Sequence, residues 1–387
     1  MRILPDKPSV AFLRKEAKDL LAALRESSPA ASLADAQQAL ASEYGMRDWT
    51  KLKSEVERRA AEAPAAPGGL VDAVARAFGL GSVTGTPSPV SYTPMGRSWS
   101  ITTNRGRWLA GTVYDWIDEA QAEVGARLRD AAVAAGVTAP TPVRTPQGRL
   151  VETVQEQSWR VHEWIDVGPS PVTPTTAAVA RRVGAILGTL HSLAIPSEAP
   201  IHPHLTAQRP DVAWVALLDE ARAAHKPWAD QLEEFLPALF DLRTIEAEVD
   251  RNEFVLCNLV LNPESVRMGH NDALIVTEWD VAGSLTPELE LGGALTHWTL
   301  QPSINRTAIA AFRDGYVDAA GRWPELELAS FATAVTGWLN WTYQSICAAI
   351  NSADNDHAAF ADGETADLLA RPKTCSSLQH LLAAVDA

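Results

Sequence analysis

The sequence predicts an α+β protein with two lobes, in which a β-rich small lobe precedes a mainly helical large lobe and an extra helical module precedes both. Three observations predict this class. Helical periodicity fills the first 62 residues, alternating β-favouring segments lie between about 98 and 165, and helical periodicity returns from about 173. Short strand-like segments interrupt the last region only between 251 and 280. The large lobe is therefore expected to hold a small β-hairpin with polar residues.

Composition excludes several classes of protein. With 387 residues, 46% hydrophobic and 21% charged, the chain has the size for two or three globular domains. No apolar run approaches the roughly 18 to 20 residues that span a bilayer, and the N-terminus MRILPDKPS lacks the apolar segment of a signal peptide. We therefore expect a cytoplasmic protein with no membrane partner. The three cysteines are too far apart for a disulfide framework or a zinc pattern.

The net charge of −15 argues against nucleic acid as a partner, because nucleic-acid binding needs a basic surface. The acidity is uneven. Residues 1–62 hold 11 Lys+Arg and 10 Asp+Glu, so residues 63–387 hold 22 and 38, a balance of −16. An acidic large region attracts a cationic substrate. A surface that keeps the protein soluble explains the same charge equally simply.

The first 62 residues are predicted to form an accessory module of three helices. Ser9, Ser32 and Asp48 are each placed to cap the start of a helix, and Gly45 is a natural helix end. The segment SLADAQQALASEYGMRDWTKLK resembles a short helical module that is found attached to unrelated domains. That resemblance implies a protein partner bound through the N-terminal helices.

The Ala/Pro/Gly-rich residues 63–69 are predicted to be a linker, which leaves a small β-rich lobe at 70–166 and a mainly helical large lobe at 167–387. The large lobe includes the chemistry-bearing segment 251–283. The predicted elements of the small lobe are a helix from Leu70 to Phe78, a hairpin turning at Asn104–Gly106, a helix over roughly 117–135, and more strand around 142–165.

Residues 251–261, RNEFVLCNLVL, have the frame of a kinase catalytic loop: a carboxylate, four residues, an asparagine and then an apolar strand. Glu253 is the candidate catalytic carboxylate, with Arg251 beside it, and Asn258 is a candidate metal ligand. These residue types suit phosphoryl transfer, which needs a metal ion on the phosphates of ATP and a carboxylate at the acceptor hydroxyl. A buried structural strand accounts for the apolar residues between Glu253 and Asn258 equally well.

Four longer segments carry a resemblance to a known family: WRVHEWIDVGPS (159–170), VARRVGAILGTLHSL (179–193), FRDGYVDAAG (312–321) and GWLNWTYQSICAAI (337–350). Over about residues 80–387 the sequence resembles the aminoglycoside phosphotransferase family of the protein-kinase-like superfamily. The resemblance implies a protein-kinase-like bilobal fold, Mg-ATP as cofactor, and a small-molecule ligand in the cleft between the lobes. It also implies that the nucleotide contacts Gly96, Gly111, Glu163 and Ile165.

The first departure from the family's catalytic pattern is the absence of the strand lysine, the cation that would contact the phosphates. The strand GRWLAGTVYDW (106–116) aligns with the family's lysine-bearing strand, but Gly111 stands at the lysine position. No lysine lies between Lys53 and Lys226. Arg105 or Arg107 from the hairpin could supply the missing cation. Glu119 or Glu123 would be the helical partner of the absent lysine. A solvated surface position is the alternative for all four residues.

The carboxylates depart as well. The family's loop reads H-x-D-x-x-x-x-N where this chain has Arg251 and Glu253, and one added methylene moves a carboxylate by about 1.3–1.5 Å. A misplacement of about 1 Å can cost on the order of 100-fold in a site that works by positioning. Arg251 can also pin Glu253 in an ion pair.

The family's second motif, I-D-x-x, has its counterpart in IVTEWDVAG (275–283). Glu278 stands at the metal position, and Asp280 follows two residues later on the same face of a strand, where it can substitute. Magnesium needs near-octahedral geometry at short distance, so the longer glutamate matters here too. Glu290 is expected to anchor the loop by hydrogen bonds.

Two functional readings follow. The first is a degraded phosphotransfer site in a pseudokinase-like binding protein or a repurposed enzyme, because the cation and both carboxylates differ from the pattern and no single compensating residue is visible. Such a protein is expected to bind Mg-ATP weakly or not at all. The alternative is an active ATP-dependent phosphotransferase acting on a hydroxyl of a small, cationic molecule, since an oxygen ligand remains at every metal-facing position.

Overall fold

The computed structural model describes residues 10–27, 29–44, 46, 48–62, 68–93, 96–114, 116–269, 273–300, 303–352 and 355–386. The chain divides into two compact units. The sheet unit comprises Arg2–Val172 and Pro263–Ala282, and the helical unit comprises Thr173–Asn262 and Gly283–Ala387. The domain boundaries predicted after residues 62, 69 and 166 stay a prediction.

Three helices open the sheet unit: α1 (Val10–Ser27), α2 (Leu33–Glu43) and α3 (Trp49–Glu62). The predicted caps at Ser32 and Asp48 are confirmed. The Ser32 side chain accepts a hydrogen bond from the Asp35 N–H, and Asp48 accepts one from the Lys51 N–H at 2.9 Å. The predicted cap Ser9 and helix end Gly45 lie outside the described residues. The role of these helices in binding a partner stays a prediction.

An antiparallel sheet forms the rest of this unit. After α4 (Gly68–Ala77) its strands are β1 (Ser88–Thr93), β2 (Gly96–Thr103), β3 (Gly106–Thr112), β4 (Pro142–Val143), β5 (Glu152–Val154) and β6 (Gln157–Glu163), and α5 (Glu119–Ala134) connects β3 to β4. The strand order is β1-β2-β3-β6-β4, with β5 beside β6. The predicted hairpin at Asn104–Gly106 is confirmed, because β2 and β3 pair as far as Thr103 opposite Gly106.

The register between β3 and β6 positions one charged side chain. Gly111 on β3 lies directly opposite Arg160 on β6. Trp159 and Val161, its neighbours in sequence, are buried in the core of the sheet, so Arg160 projects from the other face. Directly opposite residues share a face, with Cβ positions about 4.5–5.5 Å apart. A cation therefore stands one strand away from the position at which the sequence lacks a lysine.

The helical unit contains α6 (Ala177–Ser192), α7 (Asp211–Ala223), α8 (Ala229–Leu242), α9 (Pro287–Thr299), α10 (Arg306–Ala320), α11 (Ala332–Asn351), α12 (Asn355–Ala370) and α13 (Cys375–Val385). Helices α6 and α10 approach each other closely because glycines face the opposing backbone. A Cβ atom at Gly184 would overlap the Phe312 carbonyl, and one at Gly315 would overlap the Arg181 carbonyl.

Four short strands lie between α8 and α9, as the sequence predicts. In the helical unit, β7 (Val255–Cys257) pairs with β10 (Gly283–Leu285), whereas in the sheet unit β8 (Val266–Met268) pairs with β9 (Leu274–Val276). Among the helices so described, none is both long and apolar enough to cross a membrane. The predicted α+β class with extra N-terminal helices is confirmed.

Candidate active site

The loop before β7 presents the candidate catalytic residues to solvent. Arg251–Glu253 form one turn of 3-10 helix, capped by Asp250, whose side chain accepts a hydrogen bond from the Asn252 N–H at 2.9 Å. Arg251 and Glu253 are both exposed. Within the part of the chain that the structure describes, no ion pair joins them, so the predicted pinning of Glu253 by Arg251 is not observed. The Glu253 carboxylate is open to a ligand.

Asn258 follows β7 directly and is fully buried. Its Oδ1 accepts a hydrogen bond from the Val260 N–H at 3.2 Å. The neighbouring Leu259 has a left-handed backbone, with φ at 68°, which turns the chain out of the strand. In this conformation Asn258 uses for the loop the same oxygen that a metal ligand would offer.

Glu290, on the first turn of α9, anchors the loop as the sequence predicts. Its Oε1 accepts a hydrogen bond from the Leu259 N–H at 2.7 Å, and its Oε2 lies 2.8 Å from His191 Nε2. His191 Nδ1 lies in turn 2.8 Å from the Tyr316 hydroxyl. Burial alone would raise the pKa of Glu290, but the hydrogen bonds and charge of His191, with those from Leu259 and Cys257, lower that pKa below its ordinary value. The carboxylate therefore stays ionised in the interior.

His191, Cys257 and Glu290 together resemble a metal site, because their ligand atoms lie within 4.8 Å of one another. Two observations favour a structural role. Both Glu290 oxygens already accept hydrogen bonds, and burial together with the Glu290 charge raises the pKa of the Cys257 thiol well above its ordinary value. A protonated thiol is a poor metal ligand. The three residues form the loop's anchor.

In the sheet unit, Glu278 and Asp280 are both bound by one side chain, Arg160. Its Nη2 donates to both Glu278 oxygens at 3.2 Å, and its Nη1 forms an ion pair with the Asp280 carboxylate. The three side chains are only 11–22% exposed. Glu278 and Asp280, the two predicted metal carboxylates, thus both contact one guanidinium. The predicted strand does not reach them, because β9 ends at Val276.

One guanidinium, that of Arg160, binds both carboxylates of this cluster. Burial raises the pKa of Asp280 to about 6; the charge of Arg160 opposes this rise and that of Glu278 adds to it. Gln121 on α5 fixes the position of the segment, because its Nε2 donates to the Asp280 carbonyl at 2.7 Å and the Ala282 carbonyl at 2.9 Å. The carboxylates are held in place independently of any metal.

Sequence reasoning missed Arg160, although it lies inside the quoted segment WRVHEWIDVGPS. The structure therefore places a cation beside the position of the absent lysine, and whether Arg160 compensates for that lysine stays a prediction. The signal that could have found it is pairing: an arginine on the strand next to Gly111 projects from the same face as the absent lysine. Finding it requires the β3–β6 register, which neither segment reveals alone.

The two arginines of the hairpin are engaged elsewhere. Arg105 Nη1 donates to the Gly79 carbonyl at 2.8 Å. Arg107 Nε donates to Ser100 Oγ at 2.8 Å, and its guanidinium lies 3.6 Å from the centroid of the Trp164 ring. Neither side chain is in the Arg160 cluster, so the hairpin does not replace the lysine.

The acidic residues of α5 are engaged too. Glu119 accepts hydrogen bonds from the Leu150 and Val151 N–H groups, and Glu123 forms an exposed ion pair with Arg144. The predicted helix carboxylates thus organise the neighbouring loop and the surface.

The candidate nucleotide contacts lie at strand ends of the sheet unit. Gly96 begins β2, and Gly111 lies near the end of β3. Glu163 ends β6, where its N–H donates to the Thr141 carbonyl at 2.8 Å. Among the described residues, none accepts a hydrogen bond from the Ile165 N–H, which leaves this donor available to a ligand. Contact of these residues with a nucleotide stays a prediction.

Arg160 also borders a small cavity inside the sheet unit, together with Arg129, His162, Trp279 and Asp280. Its volume of about 20 Å³ suffices for one water molecule. Burial, with the charges of Arg160 and Arg129, lowers the pKa of His162 well below its ordinary value, so the imidazole is neutral. The cavity gives the cluster room for water but not for a cofactor.

Comparison with known proteins places this architecture. The sequence profile of the phosphotransferase enzyme family (APH) matches residues 96–257. Spectinomycin phosphotransferase in complex with ADP and spectinomycin superposes with a TM-score of 0.58 at 12% identity, covering 84% of this chain and 100% of that one. Amicoumacin kinase in complex with AMP-PNP, Ca²⁺ and Ami gives 0.52 at 13% identity, covering 83% and 97%.

Choline kinase from Streptococcus pneumoniae gives a TM-score of 0.50 at 14% identity, covering 78% of this chain and 98% of that one. No curated relative matches the sequence. These similarities define the class: the chain has the kinase-like fold of small-molecule phosphotransferases. The predicted resemblance to the aminoglycoside phosphotransferase family is confirmed, with the phosphotransferase family profile matching residues 96–257, which run from β2 to β7.

Proposed function

We propose that the protein binds a small molecule on a kinase-like fold in which metal-dependent phosphoryl transfer is reduced or absent. The observation that carries the proposal is the double ion pair of Arg160 with Glu278 and Asp280. Phosphoryl transfer needs a metal that bridges the phosphates and is held by such carboxylates. A guanidinium bound to both of them competes with Mg²⁺ for its ligands, and Mg²⁺ tolerates little distortion of its coordination.

Charge supports the same conclusion. Glu278 and Asp280 bring two carboxylates into the cluster, and Gly111 stands where the lysine that would face the phosphates belongs. A triphosphate brought near it meets repulsion in a partly desolvated place, where charges interact more strongly than in water. Lengthening of the catalytic carboxylate at Glu253 adds a positioning penalty to the electrostatic one.

A second function is favoured by one specific observation, the register of Arg160. Because Arg160 lies opposite Gly111, it presents a cation on the face where the family's lysine would stand. If it turns from the carboxylates to a phosphate when a nucleotide arrives, the protein is an active ATP-dependent phosphotransferase. Its acceptor is then a hydroxyl of a small, cationic molecule, positioned by the exposed Glu253.

Calorimetric titration of the full chain with ATP, with Mg²⁺ or with EDTA, separates the two functions. The proposal expects dissociation constants of about 1 mM or weaker in both conditions, because the metal has no free ligands. Tight binding that requires Mg²⁺, or transfer of the γ-phosphoryl group to spectinomycin or choline, would establish the second function and refute the first.

A variant that moves the cation back by one strand sharpens the test. Gly111→Lys combined with Arg160→Leu should free both carboxylates and gain Mg²⁺-dependent ATP binding by about tenfold or more, the effect of one charge-assisted contact. The backbone accepts a side chain here, since a Cβ at Gly111 makes only ordinary contacts, with Ser98 at 3.5 Å and the Arg97 carbonyl at 3.7 Å. Arg160→Leu alone is the matched control.

A further inference from the structure

Arg107, near the start of β3, is an exposed arginine whose side chain is held in one position. Its guanidinium lies 3.6 Å from the centroid of the Trp164 ring, and its Nε donates a hydrogen bond to Ser100 Oγ at 2.8 Å. The ring contact fixes the plane of the guanidinium, and the bond to buried Ser100 fixes its direction. An arginine usually loses much rotamer freedom when it binds a ligand, and here part of that loss has already occurred.

The ring that supports Arg107 is itself fixed. Trp164 Nε1 donates to Asp166 Oδ1 at 2.8 Å, and the Trp164 N–H donates to the Arg107 carbonyl at 3.1 Å. The first bond orients the indole, and the second joins its backbone to β3. The Asp166 carboxylate is thus bound to the indole, and no ion pair joins Asp166 to Arg107, both of which the structure describes.

The outer edge of the Arg107 guanidinium has no protein partner. A guanidinium carries five N–H groups in a planar fork, and the bond to Ser100 uses only the one on Nε. Of the residues that the fold description covers, none accepts from Nη1 or Nη2 or forms an ion pair with Arg107. By contrast, Arg105 gives Nη1 to a carbonyl and Arg160 binds two carboxylates. The parallel N–H groups of such a free edge match the two oxygens of a carboxylate or phosphoryl group.

The charge of the surrounding segment also favours an anion. Residues 73–114, which include β1, β2 and β3, contain four arginines and no aspartate, glutamate or lysine. The segment therefore carries a charge of +4 in a chain whose net charge is −15. Local positive charge attracts an oxyanion to this part of an otherwise acidic protein.

Arg107 projects from the face of the sheet that is turned away from its core. Trp108 and Ala110 pack in the core with α4, so Arg107 and Gly111 lie on the opposite face. Four residues of strand separate these two positions by about 13 Å. Arg107 is held on Trp164, whereas Arg160, opposite Gly111, is held by its carboxylates. The two arginines therefore belong to separate sites.

We propose that Arg107, supported by Trp164 and Ser100, binds the oxyanion of a small-molecule ligand, a carboxylate or a phosphoryl group, through its free Nη1 and Nη2. The inference rests on the proposed binding of a small molecule and names the chemistry of that ligand. It needs neither a metal nor the carboxylates that Arg160 binds. Because the guanidinium is already fixed on the ring, a planar oxyanion has an advantage over water as its partner.

The test follows the Trp164 indole N–H in proton–nitrogen correlation spectra of the full chain at pH 7. Sodium phosphate or sodium acetate is added at an ionic strength held constant with NaCl, and Trp164→Phe assigns the resonance by its absence. At least one anion should shift it saturably, with a dissociation constant below about 10 mM. In Arg107→Met the affinity for that anion, followed on the same resonance, should fall at least about tenfold, because a hydrogen-bonded charge is lost.

Two further variants separate a shaped site from charge alone. Arg105→Met removes the same charge from the same hairpin and should keep the affinity within about threefold, because distant exposed charges are screened. Arg107→Lys keeps the charge but loses the planar fork, so it should weaken binding at least about threefold. Melting curves without anion show which variants fold. If Arg107→Met does not fold, Arg107→Lys and the wild type still decide the outcome.

A Trp164 resonance that neither anion shifts saturably overturns the proposal, as does equal weakening in Arg105→Met and Arg107→Met or unchanged affinity in Arg107→Lys. Saturation by acetate alone identifies a carboxylate ligand, and by phosphate alone a phosphoryl one; saturation by both supports an oxyanion of either kind. None of these failures touches the proposed loss of metal-dependent transfer, which the titration with ATP and Mg²⁺ tests separately. Tight, Mg²⁺-dependent ATP binding would refute that loss and leave the Arg107 site standing.

Discussion

Two polar clusters of this molecule, one around Glu290 and one around Arg160, differ in how well they match the pattern that the family resemblance predicts. In the helical unit, Glu290 holds the Leu259 N–H and His191 as an anchor for the loop that carries the catalytic frame. In the sheet unit, the carboxylates that would hold a metal are bound by Arg160. The first cluster supports the backbone and matches what the family resemblance predicts. The second would act on phosphates, and here it is rebuilt around a different cation.

The difference shows which polar residues can be substituted without loss of the fold. An anchor with buried donors on two sides cannot lose its carboxylate without leaving polar groups unpaired, so the fold itself requires it. The metal carboxylates are needed only for binding the ligand. A guanidinium can pair with their charges and so stabilise the fold as well as a metal ion does. A fold can therefore keep its loop geometry while its chemistry disappears.

The largest effect is expected from removing the anchor. Glu290→Ala should lower the free energy of unfolding by about 3 kcal/mol, because His191 and the Leu259 N–H lose a buried, charged acceptor. Urea denaturation followed by circular dichroism measures it. Glu288→Ala, on the same helix and half-buried, is the control and should cost less than about 1 kcal/mol. Equal losses of unfolding free energy in the two variants would show that the hydrogen bonds of Glu290 add no special stability, which contradicts its role as an anchor.

A smaller effect is expected in the pH dependence of the unfolding free energy, through the carboxylate of Asp280. The pKa of Asp280 is raised from 3.8 to about 6 in the folded protein, so the folded state binds the proton more tightly than the unfolded state. The contribution of Asp280 to stability is fully present below about pH 4 and is lost as pH rises through about 6. The loss should be about 2–3 kcal/mol, because the pKa differs by about two between the folded and unfolded states.

Asp280→Asn removes this titration. The difference in unfolding free energy between wild type and Asp280→Asn should therefore change between pH 4 and pH 6.5 and stay flat above that range, measured by urea denaturation. Asp230→Asn, at an exposed position of α8, should show no such change. A difference that does not vary with pH would mean that Arg160 keeps Asp280 ionised throughout.

These two clusters also mark what the sequence could predict. The hairpin, the caps at Ser32 and Asp48, and the anchor role of Glu290 were predictable because local patterns and a motif of fixed spacing carry them. The partner of Glu278 was not, because Arg160 lies 118 residues away and reaches it only through the pairing of β6 with β3. Charges that act across a sheet need its register, and two isolated segments do not contain that information.

The smallest expected effect tests what became of the helix carboxylates. If the lysine partner has lost its function, Glu123 is only a surface charge, since it and Arg144 are 46% and 44% exposed in their ion pair. Glu123→Gln should then change the free energy of unfolding by about 0.5 kcal/mol or less, because water and salt screen such pairs. Urea denaturation at low and at high salt measures this, with Glu119→Gln as a contrast that should cost more, since Glu119 accepts from the Leu150 and Val151 N–H groups. A loss above about 1 kcal/mol in Glu123→Gln would instead place Glu123 in a network that still supports the site, and would weaken the contrast between a preserved anchor and a rebuilt metal cluster.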